Sequence, residues 1–334
     1  MKRGSMVDDK GSLLIHSGTV VTATGSSHSD VLVRNGSIEA VAPGLHGAAE
    51  GVDRVIDATG HWVMPGGIDT HTHLAHPIGR LGVTTADDFY TGTVAGAFGG
   101  VTTIVDFGLQ EQGGTLAEAR RQRLAVIAPD AVIDYGFHLI VTDVTESVLS
   151  EMEGLINSGF PSFKIYMTYG DKKIGDDDLI RLLEVTAEHG GLIYAHCEND
   201  CAVTHLIERH LAEGKTGPAY HATSRPPEVE AEATNRAIML AELAGASICI
   251  AHVTSSGAAR HVAEARARGV SVWAETCPQY LVLDSSVYDP GAGCEVAKFV
   301  CSPPMRDHSH VDALWDCLLY TSPSPRDATL YGIA

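Results

Sequence analysis

The chain has 334 residues, enough for one large domain with a small appendage, and its 44% hydrophobic content supports a sizeable core. Its 42 acidic against 23 basic residues leave a net charge of -19, which argues against nucleic acid or an anionic membrane as a partner. Seven cysteines, an odd number partly in apolar runs, an opening "MKRGSMVDDKGS" without an apolar signal core, and no run long enough to cross a bilayer together predict a soluble cytoplasmic protein.

Residues 1–11 read as a disordered N-terminus. Residues 12–64 carry short strand-like runs, "LLIHSGTVVTA", "DVLVRNGSIEAVAP" and "RVIDATGHWVMP", separated by Gly, Asn and Ser turns. "RNGS" is a hairpin signal, and the segment predicts a small antiparallel β module. From residue 65 the pattern changes to strand and helix in alternation. Strands are predicted at 67–74, 101–107, 132–141, 162–167, 191–198, 247–254 and 271–277. Helices are predicted between them at 86–98, 115–128, 145–157, 176–189, 227–244 and 256–268, several ending in glycine. Such alternation implies parallel βα units. A doubly wound sheet competes, but no GxGxxG follows the first strand, so a (β/α)8 barrel over 65–316 is the expected fold. Its eighth strand is not visible. Residues 317–334, "CLLYTSPSPRDATLYGIA", have turn composition and read as a tail outside the fold.

Within "PSFKIYMTYG", Phe163, Ile165 and Met167 alternate with Ser162, Lys164, Tyr166 and Thr168. This sets Lys164 in a run that reads as a buried strand. A buried ammonium is costly, so Lys164 needs an ion-pair partner or a different chemical form. His71 and His73, two apart in "IDTHTHL", would project from one strand face and could grip a metal ion. Alone, HxH is a weak signal. Here His196 ends "GLIYAHCE" and His252 ends "SICIAHVT", so four histidines and Lys164 fall towards strand C-termini, which converge on one mouth in a barrel. Neutral imidazole suits zinc and other divalent transition metals. His76 lies near enough to support that cluster. His138 reads as a satisfied core residue, and His189, His205, His210, His261, His308 and His310 as helical or terminal residues. Cys197 and Cys201 form a CxxxC without a second pair, a weak metal signal.

"GGIDTHTHL", "PSFKIYMTY", "IYAHCEND", "IAHVTSS", "ETCPQYL" and "FVCSPPMRD" resemble, in order, the signature segments of the dihydropyrimidinase/D-hydantoinase family of cyclic amidohydrolases. The resemblance runs from about residue 12 to residue 316. It implies a metal-centred (β/α)8 barrel beside a β-sandwich, and a pair of divalent metal ions, usually Zn2+. His71 and His73 would hold the first ion and His196 and His252 the second. Lys164 would bridge them as N6-carboxylysine, Tyr169 would steady the oxyanion, and Ser302 would bind the substrate amide through its backbone. The implied reaction is hydrolysis of dihydropyrimidines or 5-substituted hydantoins to N-carbamoyl amino acids. Association as a homotetramer is implied as well.

The family also supplies a metal-binding aspartate from strand eight that shuttles a proton. Asp316 and Asp327 are poor replacements, one in a helical run and the other in the tail. The chain is therefore expected to be C-terminally truncated and, as written, to fold poorly and have little activity. Dihydroorotase typically places an arginine shortly after its HxH pair, where this sequence has Ala75 and Arg80 lies further off. Allantoinase shares the metal plan, and non-catalytic dihydropyrimidinase-related scaffolds share the fold after losing ligands that are present here. Loops 75–85 and 169–175 are expected to set substrate preference.

Overall fold

A computed structural model of the chain describes residues 11–45, 47, 50–78 and 82–321, the last three by their backbone alone. The expectations for residues 1–10, Arg80 and Asp327 therefore lie outside the described residues.

The first module is a five-stranded sheet. β1 (Ser12–Thr22) pairs antiparallel with β2 (Gly25–Arg34), and β2 with β3 (Ser37–Ala42). The β2–β3 hairpin turns at Asn35 and Gly36, with φ of 51° and 73°, as a two-residue turn with both centres left-handed requires. β4 (Arg54–Asp57) and β5 (Trp62–Val63) run parallel to β1, so the module is mixed rather than wholly antiparallel. The connection from 43 to 53 is long enough to return the chain to the start of β1, which a tight hairpin cannot do.

The second module alternates strand and helix. β6 (Gly67–Asp69) is followed by a small hairpin, β7 (Pro77–Ile78) and β8 (Val83–Thr84), and by α1 (Phe89–Phe98). Then come β9 (Val101–Leu109), α2 (Leu116–Ile127), β10 (Asp134–Ile140), α3 (Glu146–Asn157), β11 (Ser162–Tyr166) and α4 (Asp176–His189). β12 (Leu192–His196) leads into α5 (Asp200–Ala212), α6 (Tyr220–Thr223) and α7 (Pro227–Ala244). β13 (Ile248–Ile250), α8 (Ser256–Ala267), β14 (Val272–Ala274), α9 (Gln279–Val282) and α10 (His308–Thr321) complete it. Thr145 caps α3 by accepting from Val148 N, and α4 ends at Gly190 with φ of 76°, both as their sequence signals predict.

The seven strands form one curled parallel sheet in the order β14-β13-β12-β11-β10-β9-β6, an incomplete (β/α)8 barrel. Its two faces bury different residues. Phe163, Ile165, Ile193, Ile248 and Ile250 pack outward against the helices, while Phe107, Ile140, Tyr166, Tyr194 and Cys249 fill the inside of the curl. The edges β6 and β14 are not paired with each other. Thr70 Oγ1 donates to Glu275 Oε2 (3.1 Å) across the gap, beside a cleft of about 340 Å³.

Strand lengths differ from expectation at both edges. Residues 67–74 read as one strand, but the ladder stops at Asp69. Beyond it Thr72 N still reaches Val105 O (3.2 Å), and then the Asp106 carboxylate takes over, accepting from Thr72 Oγ1 and Leu74 N, both at 2.9 Å. β13 and β14 likewise keep only three laddered residues each. α10 crosses the 316/317 division drawn from sequence, because Leu314 and Cys317 pack against the core.

Candidate metal centre

His71, His73, Lys164, His196 and His252 come together at the C-terminal ends of β6, β11, β12 and β13, around a cavity of about 420 Å³. Tyr166, Tyr169 and Ser302 also line it, as does His76. Every residue singled out for the site from sequence is thus at the same mouth. The positions are held by unusual backbone: Ala75, Tyr169 and His252 have φ of 46°, 75° and 39°. Left-handed backbone at non-glycine residues is costly, and it persists where the surroundings over-determine it.

Lys164 lies fully buried on the inner face of β11, and its Nζ has no hydrogen-bond partner among the described residues. Its nearest company is aromatic, with the Tyr194, Tyr166 and Phe107 ring centres at 4.7, 5.4 and 5.5 Å. Burial lowers its pKa to about 8, against a smaller pull upward from Glu275. The strand register supplies the reason. Alternation sends Phe163 and Ile165 to the helix side, so Lys164 has to enter the barrel interior.

The histidines meet in pairs. His71 Nε2 is 3.3 Å from His73 Nε2, and His196 Nδ1 is 2.9 Å from His252 Nε2. Two imidazole nitrogens held by one tetrahedral zinc at about 2.0–2.1 Å would lie about 3.4 Å apart, so the first pair has the spacing that a shared cation needs. No three His, Cys, Asp or Glu side chains among the described residues converge as a ready ligand set. Among the described residues no Asp or Glu lines the cavity that the two pairs share, whereas Lys164 does. The donor chemistry therefore fits divalent metal if Lys164 becomes anionic.

Carboxylates behind the rings fix which nitrogen carries the proton. His71 Nδ1 donates to Glu275, and His196 Nε2 to Glu198 (2.7 Å), leaving His71 Nε2 and His196 Nδ1 as lone pairs facing inward. Burial holds all four imidazoles below their usual pKa, His73 down to about 2, so they are neutral and able to ligate near pH 7. Burial works to raise the Glu275 carboxyl, but the hydrogen bonds from His71 and Tyr194 and the nearby Lys164 outweigh it and bring it to about 2. Glu198 is fully buried and also accepts from Arg225 at 2.5 Å. Arg306 then binds Glu230, Thr254 and the Arg225 carbonyl, tying the His252 loop to the Arg225 loop. On the other side Asp106, bonded to Arg123, grips the segment that carries His71 and His73.

Burial, with Glu198 next, raises the Tyr169 phenol to about 12, so it stays protonated as a donor. Its ring lies 5.0 Å from that of His196. Ser302 Oγ pairs with His221 Nε2 at 3.1 Å, and His221 also meets the Cys301 carbonyl at 2.9 Å. Asp316 is exposed on α10 and does not line the cavity. Glu198, Glu275 and Arg225 were not singled out from sequence. Two of them carried a usable signal: Glu198 is two residues beyond His196, and Glu275 follows β14 as the histidines follow their strands.

Comparison with known proteins gives a consistent setting. The amidohydrolase family profile matches residues 62–318. D-hydantoinase from Geobacillus stearothermophilus is 46% identical over 307 residues, covering 91% of this chain and 64% of that protein. D-phenylhydantoinase from Escherichia coli O139:H28 is 40% identical over 305 residues, covering 91% and 64%. The crystal structure of dihydropyrimidinase from Brevibacillus agri superposes with a TM-score of 0.87 at 45% identity, covering 92% of this chain and 66% of that one. The chain spans about two thirds of the length of these relatives.

Proposed function

The chain belongs to the amidohydrolase family, and on that premise we propose that the protein, with a strand-eight aspartate completing the site, hydrolyses the cyclic amide bond of 5-substituted hydantoins or dihydropyrimidines to N-carbamoyl amino acids. The observation that carries this is Lys164, buried without a partner among the described residues in the cavity that both histidine pairs line. Its neutral amine adds to carbon dioxide: an N–C bond forms, a proton leaves, and an anion with two oxygens results. That anion would bridge one ion held by His71 and His73 and a second held by His196 and His252, most simply two Zn2+. When bound, such ions bring the pKa of water towards neutrality and draw electron density from the attacked carbonyl.

The other roles follow from the protein's own groups. Tyr169, protonated at neutral pH, donates to the oxygen that gains charge as the amide carbon becomes tetrahedral. Ser302, at the cavity wall and steadied by His221, holds the substrate amide through its backbone. Glu275 and Glu198 keep His71 and His196 in the tautomer that leaves a lone pair for metal. Among the described residues no helix is long and apolar enough to cross a membrane. The free thiols of Cys197, Cys201, Cys249, Cys277, Cys294 and Cys301 support a reducing, cytoplasmic setting. The same reading carries a homotetrameric assembly, for sedimentation to check.

Two measurements test it. Wild type loaded with zinc in bicarbonate should take up two ions per chain by elemental analysis, and Lys164→Ala should take up neither stoichiometrically; full occupancy in the variant would overturn the bridge. In a panel of dihydrouracil, hydantoin, phenylhydantoin, allantoin and dihydroorotate, ring opening of the first three is expected of a form that also carries the strand-eight aspartate, and little turnover of the chain as written. Turnover of dihydroorotate or allantoin alone would reassign the substrate.

A further inference from the structure

A second cavity, of about 520 Å³, adjoins the first and shares His76, Tyr166 and Tyr169 with it. A ring bound at the mouth between Tyr169 and Ser302 could therefore extend past these three side chains into the annex. Ile78, Val203 and Ile207 give this annex an apolar wall. Most charged groups on its lining are already committed. Arg225 is paired with Glu198 at 2.5 Å, Asp200 with Lys173 at 2.8 Å and Thr168 at 3.0 Å, and Asp171 is also engaged.

Lys172 is different. It lines the annex and makes no ion pair among the described residues, its Nζ lying 6.0 Å from the Tyr166 ring centre. His76, also on the annex lining, is 8% exposed, and its Nδ1 has no partner among the described residues. A cation without an ion-pair partner among the described residues and an unsatisfied buried imidazole lining one cavity call for a ligand that brings negative charge and acceptor oxygens.

We propose that Lys172 with His76, lining the annex beside the mouth, selects a ring substituent that ends in a carboxylate. This rests on the cyclic-amide reading above. The methylene groups of such a substituent would lie against Ile78, Val203 and Ile207, and its carboxylate would reach Lys172.

Calorimetric titration of the zinc-loaded protein with hydantoin and three 5-substituted hydantoins tests this. The substituents are carboxyethyl, its neutral amide carbamoylethyl, and propyl. Wild type should bind the carboxyethyl compound at least tenfold more tightly than the amide, with the preference shrinking as salt is raised. Lys172→Met should erase the preference while binding hydantoin as before, and His76→Leu should reduce it. Equal binding of acid and amide by wild type, or a preference that survives Lys172→Met, would overturn the selection and leave the cyclic-amide reading standing. Failure to bind any of the four would overturn both.

Discussion

His138 is a buried histidine of β10 with a structural duty: it bonds to Ser162 Oγ and, through Nε2, to the Thr70 carbonyl at 3.1 Å. Burial lowers its pKa from the usual 6.5 to about 4. The unfolded chain therefore binds a proton that the folded chain refuses between those values. Stability from this residue is complete above pH 6.5 and is lost progressively as pH falls towards 4, about 3 kcal/mol in all. Urea unfolding of metal-free protein at pH 7.5 and 4.5 should show wild type losing more than His138→Asn; equal losses would mean other groups carry the acid sensitivity. Glu198 shows the same economy at the site itself, since one buried carboxylate orients His196 and neutralises Arg225.

At the scale of elements, the barrel mouth is held by polar clamps between loops that have little ladder of their own. β13 has three laddered residues, yet the segment after it carries His252. Its stability comes from Glu230 on α7, which accepts from Thr254 N at 2.7 Å and Ser255 N at 3.3 Å, while Arg306 binds Glu230 at 2.9 Å and Thr254 Oγ1 at 2.8 Å. Arg306→Met should cost about 3–5 kcal/mol in urea unfolding, because it leaves Glu230 buried without its cation. Arg306→Lys should recover only part, since one ammonium cannot span all three acceptors. A loss below about 1 kcal/mol for Arg306→Met would mean the clamp is dispensable.

Across the whole molecule, the centre gathers side chains from the first and last strands of the sheet. His71 follows β6 and Glu275 follows β14, so their contact links the two open edges of the curl. Metal bound there would favour the folded chain by mass action, by about 2.7 kcal/mol at a concentration one hundred times the dissociation constant. Zinc should therefore raise the unfolding temperature by several degrees, a chelator should reverse the rise, and Lys164→Ala should show neither. An unchanged unfolding temperature in saturating zinc would argue against a centre that couples to folding.

Much of this was legible before any fold was known. The period-two pattern around Lys164, the strand-ending histidines and the glycine-terminated helices determined the βα alternation and named the residues at the mouth, because periodicity and burial are local properties. Three matters needed the tertiary structure. Where strands 67–74, 247–254 and 271–277 stop laddering depends on side chains such as Asp106 arriving from elsewhere. Glu275 and Arg225 became part of the site only when β14 and the α6–α7 loop came beside residues distant in sequence. The annex around Lys172 exists only because the hairpin, the β11 exit and α5 enclose one space. A chain can spell out which groups prefer burial and which strand face they take, but which of them touch is decided by packing across the sheet.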